Sequence, residues 1–395
     1  MQGSKREKRP GYWELRVYAG LDPVTRRQRY ITRGVRGTAR EADRALRALA
    51  VEVDQGRHLT TEGTVGHLLE RWFEHASPGW SPTHRSRVAN VIRRRLVPAL
   101  GEVKLSKLGA ADLDAYYRQL QAEGLAPGTI RKVHDAMNRA LRQAMRWGWL
   151  TGNVAQAASP PPVRQKPINP PAPAGVHVLV DLAVAQGHRE LAALGLLAAA
   201  TGARRGELVG LRWSDVDLEA GTVTIRRGVV IDEEDDRAVV VKDTKTHAGR
   251  RIAVGAATTA ALADHMAYVR ERAALAGEKL VADPWLFSMD VDAGAPWRPD
   301  LVTLAWRRLC RKAGVHVRLH DLRHFTATEM LDAGVPLRTV SGRLGHRRTS
   351  TTADIYAAWL PASDREAAEV LEARMESGRD KAPRATKAPG GEVGE

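Results

Sequence analysis

Between Tyr12 and Ala19 apolar and polar residues alternate (YWELRVYA). Trp13, Leu15 and Val17 fall on one side of an extended strand, Glu14 and Arg16 on the other. RRQRYITR (26–33) reads as a second strand, joined through a turn at Leu21-Asp22-Pro23. The period then becomes helical over TAREADRALRALAVEVDQG (38–56). Thr38 is the N-cap, Glu41 completes a capping box and Gly56 ends the helix. A small sheet on one helix is expected for residues 1–60. Its exposed strand face is assigned Arg16, Arg27 and Arg29, a size and shape that can enter a DNA groove.

Residues 64–152 read as all helix, in four periodic segments: TVGHLLERWFEHA, SPTHRSRVANVIRRRLVPALG, GAADLDAYYRQLQAEG and APGTIRKVHDAMNRALRQAMRWGWL. Ser81-Pro82 and Ala126-Pro127 are helix-start signals. A Pro-rich linker follows (153–175), extended and semi-rigid by composition. Residues 176–371 form a mixed region. HRELAALGLLAAAT is a buried-type helix, and TVTIRRGVV, AVVVKD and RRIAV are three consecutive strands. Helices follow at about 300–313, 320–333, 336–344 and 350–358. The acid run Asp232-Glu233-Glu234-Asp235-Asp236 reads as a solvated hairpin turn, since neighbouring acids along a turn do not converge on a metal. The tail, 376–395, is expected to be disordered. The fold class is α+β and multidomain.

Charge changes this picture. The formal net charge is +15, and residues 1–60 and 64–150 each carry +7 of it. An excess confined to the first 150 residues points to a polyanion, nucleic acid first. Arg85, Arg87, Arg93, Arg94, Arg95, Arg131 and Lys132 are candidate phosphate contacts, although an ordinary charged helix face accounts for any one of them equally well. The single cysteine, Cys310, excludes a disulfide framework and a Cys-based zinc site. No apolar run reaches the length of a membrane span, so a soluble, cytoplasmic, nucleoid-associated protein of a bacterial host is expected, with no membrane partner.

Three polar clusters carry the candidate chemistry. In TGARRGELVGLRW a Gly turn presents Arg204 at the start of a short helix, beside free backbone N–H groups, with Glu207 one turn on to orient it. In HDLRHFTAT, His320 and Arg323 share a helix face, while His324 is expected to point elsewhere and to be structural. In SGRLGHRRTSTTADIYAAWL, His346 follows a helix-ending Gly345, and Thr349 to Thr352 cap a helix carrying Tyr356. Taken singly, each cluster is equally an ordinary ion pair or packing position.

Taken in chain order, TGARRGEL, TKTHAGRR, HDLRHF, LGH and DIYAA resemble the tyrosine recombinases, or phage integrases, over roughly residues 64–360. The N-terminal module resembles their arm-site DNA-binding domain, a three-stranded sheet plus helix. Residues 64–152 resemble the core-binding domain, and 176–371 the catalytic domain with a three-stranded antiparallel sheet. The resemblance implies these roles. Tyr356 attacks a scissile DNA phosphate to give a 3′-phosphotyrosine and a free 5′-hydroxyl. Arg204 and Arg323 hold the non-bridging oxygens. Lys245, on a strand hairpin, is the general acid, chosen over Lys242. His320 assists proton transfer, His346 hydrogen-bonds the phosphate and Glu207 supports the site.

Two arginines and a lysine supply the positive charge that a phosphodiester transition state needs, so no metal and no cofactor is expected. The implied partners are double-stranded DNA at core and arm attachment sites and a homotetramer on synapsed DNA, with room for an excisionase and a host DNA-bending protein. The C-terminal segment PASDREAAEVLEARME (361–376) is amphipathic, and in the family such a segment docks onto a neighbouring protomer. Two rivals share part of this pattern: a type IB topoisomerase-like enzyme, and a non-catalytic DNA-binding protein on an integrase fold.

Overall fold

The computed structural model describes residues 3–22, 24–54, 61, 63–164, 170–243, 249–346, 348–356 and 368–375. Gly56, Lys245 and the tail 376–395 lie outside them. The chain forms two compact units. The first takes in residues 1–166 together with Asp232–Arg237, and the second the remainder.

The first unit opens with an antiparallel sheet in the order β1 (Gly3–Arg9), β2 (Tyr12–Leu21), β3 (Gln28–Arg36). Helix α1 (Ala39–Asp54) packs beneath it on Leu15 and Val17, with Ala42 and Leu49 buried. The capping box forms as expected: the Thr38 N–H donates to Glu41 Oε2 at 2.7 Å, and the Glu41 N–H reaches Thr38 Oγ1 at 3.4 Å. Strand β1 is the third strand that the resemblance implies, and its polar run GSKREKR shows no alternation to read.

The face assignment needs correction. Along β3 the half-buried positions include Ile31, Arg33 and Val35, so Arg29 shares the helix-facing parity, and Arg27 precedes the strand. Arg16 alone of the three lies on the open face. Its guanidinium covers the Tyr30 ring at 3.8 Å.

The rest of the first unit is helical: α2 (Val65–Ala76), α3 (Pro82–Val91), α4 (Val97–Leu100), α5 (Ala110–Ala122) and α6 (Pro127–Arg146). Pro127 starts α6, and Ile130, Val133, Met137, Leu141 and Ala144 recur on its buried side. Between α3 and α4 the chain widens into a π-helical turn, Ile92–Leu96. Pro98 is the physical cause, since it has no N–H for the carbonyl of Arg94 and its ring would clash with that carbonyl in a regular α-helix.

Glu233 to Asp236 form the exposed turn that the acid run predicts, but its first residue does not fit that reading. Asp232 is buried and paired with Arg85, and Glu234 lies 2.8 Å from Arg93.

In the second unit, α8 (Arg189–Thr201) is buried along nearly its whole length, because the Ala- and Leu-rich run AALGLLAAA has no polar side chain to expose. Around it pack α7 (Pro173–Ala185), the short α9 (Arg205–Leu208), α10 (Ala256–Leu275), α11 (Pro299–Lys312) and α12 (Asp321–Asp332). Helices α13 (Leu337–Leu344) and α14 (Thr349–Tyr356) follow. Cys310 packs in the core on α11. Helix α10 is absent from the expected elements. Its apolar positions are mostly alanine and too weak a signal.

The strands also differ from expectation. TVTIRRGVV breaks at Arg226 into β5 (Thr222–Ile225) and β6 (Arg227–Asp232). The three-stranded antiparallel sheet runs β4 (Val216–Asp217), β5, β8 (Arg250–Ala253), while β6 pairs separately with β7 (Ala238–Asp243). The pieces separate because Arg226 and Arg227 both turn to Asp215, whose side chain is fully buried.

Among the described residues, no helix is long and apolar enough to cross a membrane.

Candidate active site

Helix α8 ends at Gly202 in the left-handed conformation, and the chain restarts as α9 with Arg204 at the N-cap. Gly206 lets α9 lie against β6, since a Cβ there would sit 2.5 Å from the Val229 carbonyl oxygen. Glu207 bonds Arg204 twice. Its Oε2 accepts the Arg204 backbone N–H and its Oε1 accepts Arg204 Nη1, both at 2.9 Å. The Arg204 side chain stays 46% exposed while that of Glu207 is 10% exposed, so the guanidinium is oriented yet accessible.

Arg323, on α12, is only 4% exposed, and its Nη1 donates to the Gly202 carbonyl at 2.6 Å. The two arginines, distant in sequence, thus meet at one turn. His320 is the N-cap residue of α12. His324 does not point elsewhere: one turn along, its ring meets that of His320 edge-on, centroids 5.2 Å apart.

Gly345 ends α13 in the left-handed region at φ 68°, and a Cβ there would lie 2.8 Å from Arg250 Nη1. This turn delivers His346, whose Nδ1 lies 2.7 Å from Thr352 Oγ1 on α14. Tyr356 is the last residue of α14, one turn beyond Thr352. Lys245 falls outside the described residues. The described strands on either side of that gap belong to different sheets, β7 pairing with β6 and β8 with β5. Lys242 lies in β7, half-buried.

The electrostatics agree with this convergence. Burial, together with Arg323, Arg204 and Arg250, pushes the His346 imidazole down to about 4. Burial and the neighbouring His324 and Arg323 depress His320 as well. Burial opposes the Glu207 carboxylate, but the Arg250 and Arg204 donors hold it below its ordinary value.

A pH effect on stability follows. As pH falls below 6.5, His346 in the unfolded chain takes up a proton, while the folded protein leaves it neutral down to about 4. The melting temperature should therefore be flat above neutrality and fall as pH drops through that window. Melts followed by circular dichroism would check this, and an unchanged melting temperature between pH 7 and 4.5 would contradict it.

Beside Arg204 and His320 opens a cavity of about 1070 Å³, with Arg205, Arg307, Arg311 and Arg318 around an apolar floor of Trp306, Cys310 and Val317. Such a lining suits a phosphate-bearing polymer.

In the first unit, Arg87 and Lys132 line a cavity of about 180 Å³ together with Arg139, which the sequence reading omitted. Arg94 is exposed and Arg131 half-buried. Arg95 pairs with Glu123 at 3.2 Å, and Arg85 and Arg93 face the acid run. Arg250 is a second omission. Only the folded chain brings it to Glu207.

The profile of the phage integrase family matches residues 178–362, and that of the phage integrase central domain matches residues 66–160. A tyrosine recombinase XerC-like protein of Caldanaerobacter subterraneus subsp. tengcongensis is 28% identical over 340 residues, covering 78% of this chain and 82% of its own. An integrase of Streptomyces ambofaciens is 26% identical, over 87% of this chain and 88% of its own. Among solved structures, the Tn1549 transposon integrase bound to transposon right end DNA aligns with a TM-score of 0.65 at 18% identity, covering 77% of this chain and 99% of that one. A lambda integrase tetramer bound to a Holliday junction gives 0.54 at 15% identity, covering 89% and 94%.

Proposed function

This chain belongs to the phage integrase family, whose members cut and rejoin DNA, and we propose from that premise that it is a site-specific tyrosine recombinase that integrates and excises a mobile element. The observation that carries this reading is the meeting of Arg204, Arg323 and His346 beside the helix that ends in Tyr356.

In this mechanism Arg204 and Arg323 grip the non-bridging oxygens of the scissile phosphate and stabilise the charge that builds on them. The Tyr356 oxygen attacks phosphorus as its hydroxyl proton passes to His320, a 3′-phosphotyrosine forms and the 5′-oxygen leaves, taking a proton from Lys245. His320 assists the proton transfer. His346, neutral in the free protein, hydrogen-bonds the phosphate, whose negative charge pulls its pKa back up. The phosphotyrosine retains the bond energy, so rejoining needs no nucleotide cofactor.

Residues 1–60 are the proposed arm-site contact, and residues 64–152, with Arg87, Lys132 and Arg139, the proposed core-site contact. Four protomers act on two synapsed sites through a Holliday junction, while an excisionase and a host DNA-bending protein set the direction. In the C-terminal segment, residues 368–375 are helical and expose Val370, Leu371 and Met375. Docking of that segment on a neighbouring protomer accounts for them. Deleting residues from 361 onward should abolish recombination between two sites while sparing binding to one, as read by gel shift. Undiminished recombination would dismiss the docking role.

The test of the reading itself is covalent capture. Protein is incubated, without added metal, with duplex DNA taken from either side of its own gene, then denatured in SDS. An adduct at one fixed position supports the recombinase. Specific binding with no adduct supports the non-catalytic alternative.

A further inference from the structure

The groups assigned to the reaction sit on separate stretches of chain, so their alignment depends on whatever ties those stretches together. Arg250, the first residue of β8, touches two of them. Its Nη2 and Nη1 donate to the two Glu207 oxygens at 2.6 and 3.3 Å, and its Nε donates to the Arg343 carbonyl at 3.0 Å. Glu207 passes the contact on to Arg204. The Arg343 carbonyl lies in the last turn of α13, two residues before Gly345 and three before His346. Arg343 pins the same turn from outside, with its Nη2 donating to the Ala200 and Ala253 carbonyls at 2.7 and 2.9 Å. The Arg250 side chain is 14% exposed, and all three of its nitrogens bond to protein. A flat fork serving a carboxylate on one edge and a carbonyl on the other is a geometry that lysine cannot copy.

We propose that Arg250 is a positioning residue for DNA cleavage, holding Arg204 through Glu207 and His346 through the carbonyl end of α13. The proposal rests on the recombinase reading. A purely structural ion pair would lower the amount of folded protein and leave the rate per bound molecule and its pH dependence unchanged.

Positioning predicts otherwise. Arg250→Met should slow single-turnover adduct formation by about 10–100-fold with site affinity little changed. Glu207→Gln should do the same, and the double variant should lose no more than the worse single one, because the two residues act as a unit. Arg250→Lys should recover part of the rate. The acid limb should also move. Glu207 faces Arg204 from the start of α9, Arg250 from β8 and His346 from the turn before α14. Without Arg250, Glu207 loses a donor that keeps it ionised and able to hold Arg204, so in Arg250→Met cleavage should fail at higher pH than in wild type.

The experiment is adduct formation on the flanking DNA, with wild-type protein beside the four variants across pH, and with melts and gel shifts on each. No adduct from wild type would overturn the recombinase reading and this proposal with it, whereas adduct from wild type leaves that reading standing and puts only the role of Arg250 to the test. Adduct from wild type with an equal rate for Arg250→Met, or losses that multiply in the double variant, would overturn the positioning role. Should Arg250→Met not fold, Arg250→Lys carries the test, and full activity with an unmoved acid limb would overturn it.

Discussion

Tyr356→Phe should bind the same DNA as the wild-type protein and form no SDS-stable adduct with it. The substitution removes one oxygen from the last residue of α14 and leaves the helix sequence otherwise intact. A phenyl ring has no atom that can make a phosphoester, so the covalent step should fall by at least about 10³-fold, below detection in a gel assay. The tyrosine hydroxyl ordinarily ionises at about 10, so in the proposed mechanism its attack at neutral pH needs help from cations such as Arg204 and Arg323. Both proteins would be incubated with the flanking DNA, denatured and compared for retained protein. An adduct with both would mean that another residue is the nucleophile.

Arg204→Ala and Arg323→Ala should both cripple cleavage, yet differ in what else they cost. Removing one preorganised donor to a phosphate in its transition state lowers the rate by about 10²–10³-fold. Arg204 is half exposed and bonds Glu207 at the edge of the site, so its loss should leave the melting temperature nearly unchanged. Arg323 is 4% exposed and supplies a bond to the Gly202 carbonyl, so its loss should also destabilise the fold by about 1–3 kcal/mol. Adduct rates and thermal melts on the two variants would separate these effects. Equal melting temperatures would mean that the Gly202 bond contributes little. A normal cleavage rate for either variant would remove that arginine from the mechanism.

How legible the site was depended on how local its signals are. Arg204 with Glu207, and Gly345 before His346, are readable because each is a single turn whose geometry its own residues dictate: a left-handed glycine, an N-cap and a residue three on. Adjacency of His324 to Arg323 suggests divergence in space, yet a histidine four residues after another on a helix shares its face. Arg250 was visible only as half of a basic pair. Nothing local says that β8 will pair with β5 and so bring that arginine to a carboxylate 43 residues earlier. The strand split at Arg226 was hidden for the same reason, since it answers to the buried Asp215 and not to any break in the apolar pattern. Parity within RRQRYITR alone puts Arg29 on the wrong face, because that run holds no anchor. Ile31 and Val35, packed over α1, provide that anchor.

The internal ion pairs of the first unit alter what its positive charge can do. Lys5 pairs with Asp43, Arg33 with Glu52 and Arg95 with Glu123, while Arg85 and Arg93 already face Asp232 and Glu234. A cation that stays on its carboxylate neutralises no phosphate and so frees no condensed sodium from the duplex. The entropy of counterion release then comes chiefly from cations such as Arg87, Lys132 and Arg139. Affinity for DNA should therefore fall with added salt less steeply than the count of basic residues would give, and the protein should hold its site at ionic strengths that strip a chain of equal formal charge from nonspecific DNA.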